Sequence, residues 1–177
     1  MATLVLTAIG DDHAGLVSEL SGVIADHGGN WEKSRMAHLA GKFAGIVMVT
    51  VAEDDAEDLI RDLRPLEARG LLDITAALST EAQPAGAATR LTLELVGLDQ
   101  PGIVRDISDA LATRGVSIEE LETEISSAPM DGGTLFKARA VLALPDDVSA
   151  EALADVLEQL AHQLMVDIEL HQAGDPT

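Results

Sequence analysis

Two short stretches carry the residues best placed for chemistry. Gly97-Leu98-Asp99-Gln100-Pro101-Gly102 follows an alternating run, Leu91, Leu93 and Leu95 with Thr92 and Glu94 between. It opens a run with helical spacing, Ile103, Val104, Ile107 and Leu111. Gly97 and Gly102 allow backbone angles closed to other residues, and Pro101 suits a first helical turn, where a missing N–H costs nothing. The pattern predicts a strand, a tight turn and an exposed helix start whose N–H groups lack helical partners and can hold a carboxylate. The chain builds this seat twice: Gly10 to Gly15 encloses Asp11, Asp12, His13 and Ala14 in the same setting. Asp at such a turn equally suits helix capping.

Other chemistries find little support. Asp11-Asp12-His13 offers metal-ligand types, but two adjacent carboxylates and one imidazole rarely converge on a single ion, so no metal site is assigned. His27, His38, His162 and His171 are scattered. No G-x-S-x-G elbow, P-loop or H-E-x-x-H is present, and there is no cysteine for thiol catalysis or a disulfide. A non-catalytic chain without a cofactor is the expectation.

The elements that must position the turns follow from a repeat. Sliding the chain by 87 positions lays Leu4, Leu6, Gly10, Asp12, Gly15, Val17 and Gly28 on Leu91, Leu93, Gly97, Asp99, Gly102, Val104 and Gly115. The shift becomes 93 at Phe43 and Phe136, and 94 at Leu59 and Leu153. In the first copy Thr3–Ile9 reads as a strand, Leu16, Val17, Leu20, Val23 and Ile24 as a helix face, and Gly28-Gly29 as its stop. Asn30–Leu39 and Phe43–Ala52 read as paired strands. A second helix starts near Glu53-Asp54-Asp55 and is ended or kinked by Pro65, and Leu71–Ser79 is the last strand. The second copy gives Arg90–Val96, a helix from Gly102 to Arg114, Ser117–Ser126 and Thr134–Leu144, a helix capped by Ser149, and a strand at Met165–His171. Residues 1–80 and 90–172 are thus two domains, 81–89 a linker and 173–177 a flexible tail.

Each copy has the order β-α-β-β-α-β, so the predicted fold class is α+β: two tandem ferredoxin-like domains, each an antiparallel four-stranded sheet with both helices on one face. Val47 and Val49 suggest that the other face is partly apolar, to be covered by pairing of the copies or by a homodimer.

Composition sets the partners. Of the 177 residues 47 % are hydrophobic, enough for a substantial core, while 2 % are aromatic, too few for base-stacking platforms. The net charge of −20 is spread as −8 over residues 1–86 and −12 over the rest, which opposes nucleic acid and anionic membranes alike. No apolar run approaches a membrane span, and Met1 to Gly10 lacks a basic leader, so a cytoplasmic location is expected.

The turn G-x-D-x-P-G-x-V, present as Gly97, Asp99, Pro101, Gly102 and Val104, resembles that of the ACT domain, a small regulatory module that commonly binds amino acids. The first copy keeps Gly10, Asp12, Gly15 and Val17, with Ala14 in place of proline. Two such domains and almost nothing else resemble the glycine cleavage system transcriptional repressor family. That resemblance implies action through a DNA-binding activator protein, with glycine or another small amino acid as effector. The alternative is a detached regulatory subunit or dimerisation module of an amino-acid enzyme. The resemblance places the effector at the β1–α1 turn, helped by a polar residue near the start of β2 and often held between two modules. The residues implied are Asp11, Asp12, His13, Ala14, Gly15 and Asn30 in the first copy, and Asp99, Gln100, Pro101, Gly102, Ile103 and Ser117 in the second.

Overall fold

A computed structural model of the chain describes residues 1–79, 89–127 and 133–172. The chain divides into two compact units, Met1–Pro84 and Ala85–Thr177. Unit 1 runs β1 (Ala2–Asp11), α1 (Leu16–Asp26), β2 (Asn30–Leu39), β3 (Lys42–Val51), a short 3-10 turn at Glu53–Asp55, α2 (Ala56–Ala68) and β4 (Asp73–Leu78). Unit 2 runs β5 (Thr89–Leu98), α3 (Ile103–Ala112), β6 (Ser117–Ser127), β7 (Thr134–Leu144), α4 (Ala150–Leu164) and β8 (Val166–Gln172). The sheets are antiparallel in the orders β2-β3-β1-β4 and β6-β7-β5-β8. Both are the expected ferredoxin-like arrangement.

Alternation along the central strands builds each core. Leu4, Leu6 and Ala8 of β1 and Val47, Val49 and Val51 of β3 point to the face covered by Leu16, Leu20 and Ile24 of α1 and Leu59, Leu63 and Leu66 of α2. In unit 2 the same layer holds Leu91, Leu93, Leu95, Leu142 and Leu144 against Ile103, Ile107, Leu111, Leu153 and Leu157. Each fully buried leucine contributes about 1.5–3 kcal/mol relative to exposure, so a nearly all-aliphatic core suffices.

Several expectations need correction. Val47 and Val49 are fully buried beneath the helices and do not face the open side of the sheet. The strand pleat puts Val5, Ile9, Ile46 and Met48 there instead, and Ile9 and Ile46 are 48 % and 54 % exposed. Helix α2 starts at Ala56, after the acidic 3-10 turn, and runs past Pro65 to Ala68. Leu66 is buried one residue beyond the proline, and the Arg69 N–H donates to the Pro65 carbonyl at 3.1 Å, so tertiary packing holds the last turn together. Strand β4 begins at Asp73 rather than Leu71. Met165 is not in the last strand: it closes α4 at φ 53°, ψ 47°. Gly10 and Gly97 are needed for close approach, not for unusual angles. A β-carbon on Gly10 would collide with the Leu71 carbonyl oxygen, and one on Gly97 with the Val166 side chain. The expected linker lies outside the described residues except for Thr89, which already belongs to β5, and the expected tail 173–177 lies outside them too.

Candidate functional site

At the first turn, β1 ends on Asp11 and α1 starts after Gly15, whose left-handed φ of 102° with ψ −6° only glycine adopts readily. Gly15, not Asp12, is the N-cap residue, and it has no side chain to satisfy the first helical N–H groups. The Asp12 N–H donates to the Gly41 carbonyl at 2.9 Å, fixing the turn to the β2–β3 connection. A hollow of about 270 Å³ opens here, lined by Asp12, His13, Gly15, Val17, Ser18 and Phe43. Its rim is charged. Lys42 pairs with Asp11 and holds that carboxyl below its ordinary range, chiefly through the hydrogen bond and then through its charge. His38 Nε2 lies 3.5 Å from an Asp12 carboxylate oxygen, and His13 Nδ1 lies 3.3 Å from the Ala14 carbonyl. Turn amides, an exposed carboxylate and a hydroxyl beside this open hollow offer partners for a carboxylate and an ammonium group.

The second turn has the same backbone. Gly102 sits at φ 101°, ψ −7°, and the Asp99 N–H donates to the Thr134 carbonyl at 2.8 Å, matching Gly15 and Asp12. Two of its side chains, Gln100 and Arg105, are committed elsewhere. Gln100 donates from Nε2 to the Leu164 carbonyl at 2.5 Å, tying the turn to the end of α4. Arg105 folds back over Gly102 and is held by the Asp106 carboxylate at 2.7 and 2.8 Å, which raises the pKa of its guanidinium. Pro101 is exposed, and Ile103 is buried in the core.

Comparison with known proteins settles the family. A family model described as the ACT domain matches residues 2–77. A solved structure described as an unknown protein from Galdieria sulphuraria is 30 % identical, with 97 % of this chain and 98 % of that one aligned at a TM-score of 0.85. The chain belongs to the ACT-domain family. A second solved structure, described as a candidate glycine cleavage system transcriptional repressor, shares the tandem ACT fold over 96 % of both chains at a TM-score of 0.70 and 17 % identity. No curated protein matches the sequence.

Within each ACT unit the register keeps the two halves of the expected site apart. Asp11 pairs with Lys42, whereas Asn30 pairs with Thr50. Those β3 positions are eight residues apart, a separation of about 27 Å at about 3.4 Å per residue. In unit 2, Leu98 pairs with Leu135 and Ser117 with Ala143, the same eight-residue offset. Asn30 is also engaged locally: its amide donates to Glu32 Oε1 at 2.7 Å, and Thr50 Oγ1 donates to the same oxygen at 2.8 Å. These bonds, Thr50 first, lower the Glu32 pKa. The turn and the start of β2 therefore do not meet inside one ACT unit.

Sequence reasoning missed Ser18, Phe43, His38 and Lys42 around the first turn. The helical spacing gives Ser18 no signal, and the pairing of Asp11 with Lys42 depends on the register between β1 and β3, strands separated in sequence by α1 and β2. It also left His171 isolated, whereas Glu94, Glu169 and His171 converge on the open face of the second sheet with ligand-type atoms within 4.8 Å of one another. These groups already have partners, since Arg139 lies 3.7 Å from Glu94 and His171 lies 3.3 Å from Glu169.

Proposed function

We propose that the protein is a non-catalytic, amino-acid-responsive regulator that modulates transcription through a protein partner, with glycine or another small amino acid as effector. The observation that supports this reading is the open hollow at the first β1–α1 turn, where Asp12 and Ser18 stand beside the start of α1, whose N-cap Gly15 offers no side-chain partner. The turn residues Asp11, Asp12, His13, Ala14 and Gly15 form this seat. Asn30 and Ser117 join a ligand only in an assembly in which two modules share it. A net charge of −20 opposes direct contact with DNA and favours action through a partner protein. Among the described residues no helix is long and apolar enough to cross a membrane.

A thermal-shift screen against the twenty amino acids, glycine first, tests the effector. Binding to the folded state alone stabilises by RT ln(1 + [L]/Kd), about 2.7 kcal/mol at a hundredfold excess over Kd. The expected result is a selective rise that disappears in Asp12→Ala. No rise at tens of millimolar would remove the sensor reading, and co-purification with a catalytic chain would replace the transcriptional role by that of an enzyme's regulatory subunit.

A further inference from the structure

We propose that the duplicated turns have divided their roles: only the first ACT unit takes the effector, and the second unit's turn is closed by its own side chains. This rests on the effector reading above and adds which seat is used, and hence one ligand per chain. The backbone cannot distinguish the copies, since φ and ψ at Gly15 and Gly102 agree within a degree and both turns are held by equivalent hydrogen bonds. The difference lies in what stands over the helix start. At Gly15 the space where a β-carbon would sit is open, with nothing within 4 Å. At Gly102 the same space is filled: an Arg105 guanidinium nitrogen stands 3.0 Å from that point and an Asp106 carboxylate oxygen 3.7 Å. The repeat aligns Arg105 with Ser18, so a hydroxyl that lines the hollow in unit 1 is replaced by a guanidinium bound to its own carboxylate in unit 2.

The rims have diverged in the same direction. Strand register matches Asp11 with Leu98, Lys42 with Leu135 and His38 with Ile125, so three charged or polar positions around the first turn are aliphatic around the second. Leu98 and Ile125 are exposed. An incoming zwitterion would meet polar partners for both its ends at the first turn. At the second it would have to break the Arg105–Asp106 pair and lose water beside three aliphatic side chains before reaching the helix start. Gln100, which occupies the place of His13, is tied to Leu164 and cannot turn toward a ligand without giving up that bond.

The test is a titration of the full chain with glycine, followed by amide chemical shifts, in which Gly15 and Gly102 report their own turns. Saturable shifts at Gly15 with none at Gly102 are expected. Ser18→Arg, which copies the second turn's closure into the first, should weaken binding by about tenfold or more, and Ser18→Ala, which removes only the hydroxyl, should weaken it less. Saturable shifts at Gly102, or a Gly15 response indifferent to Ser18→Arg, would overturn the division of roles and leave the effector reading standing. Silence at both turns would overturn both.

Discussion

At the scale of single residues, the charged rim of the first turn makes a prediction with a definite sign. Lys42 lowers the Asp11 pKa, and Thr50 with Asn30 lowers that of Glu32. A carboxyl whose folded pKa lies below its unfolded one contributes stability that is fully present above the unfolded value. That contribution is lost as the pH falls through the folded one. Both groups therefore stabilise the first unit at neutral pH and cease to do so in acid, from about pH 5 downward. Lys42→Met should return the Asp11 titration to the ordinary carboxylate range and make the acid loss of stability shallower, both measurable by carboxyl NMR titration beside urea unfolding at several pH values. An Asp11 titration unmoved by Lys42→Met would mean that the pair does not form in solution. Both groups are fully exposed, so solvent and salt screen the interaction and the effect belongs in the titration curve more than in the melting temperature.

At the scale of elements, Ser149 gives a clean case, because its hydroxyl accepts the Ala152 N–H at 3.1 Å and caps α4 as its sequence position predicts. Ser149→Ala should destabilise the second unit by about 1 kcal/mol, read as a lower urea midpoint with an unchanged slope, and Ser149→Asp should recover most of the loss. Element order, sheet topology and this cap were legible because each depends on local pattern: alternation in Leu91–Leu95, helical spacing in Ile103–Leu111, glycine after the helix at Gly115. What was not legible depends on neighbours distant in sequence. Pro65 reads as a helix stop, yet burial of Leu66 carries α2 past it. Val47 and Val49 alternate with Ile46 and Met48, and nothing local says which set the helices cover. The same limit applies to the candidate site. The turn is written in six consecutive residues, but the distance from Asp11 to Asn30 is set by the registers of β1 and β2 on β3, and the position of the Arg105 side chain over Gly102 by its rotamer.

At the scale of the whole chain, the charge of −20 has consequences for both stability and partners. Acids outnumber bases in both halves, and most ion pairs here join exposed groups such as Arg61 with Asp58 or Arg69 with Glu19, each worth little in water. What remains is repulsion spread over the surface, which opposes the compact state and acts over the Debye length, about 30 Å at 0.01 M salt and about 3 Å at 1 M. Raising sodium chloride across that range should therefore raise the melting temperature, with most of the gain complete by the concentration at which the Debye length falls below the spacing of neighbouring carboxylates. A melting temperature that falls with salt would mean that attractive pairs outweigh the repulsion. If the chain has the transcriptional role proposed above, the same field governs how it would reach a promoter. Electrostatic affinity for duplex DNA grows as salt falls, so a chain that bound DNA through its own surface would be retained best at low salt. This chain should show no retention there, where its repulsion is strongest, and retention should appear only when a basic partner protein is supplied. Adding the effector amino acid should then change the retained fraction of the ternary complex without altering the partner's own DNA affinity. Retention of the isolated chain at low salt would assign DNA contact to the ACT units themselves and remove the need for a partner.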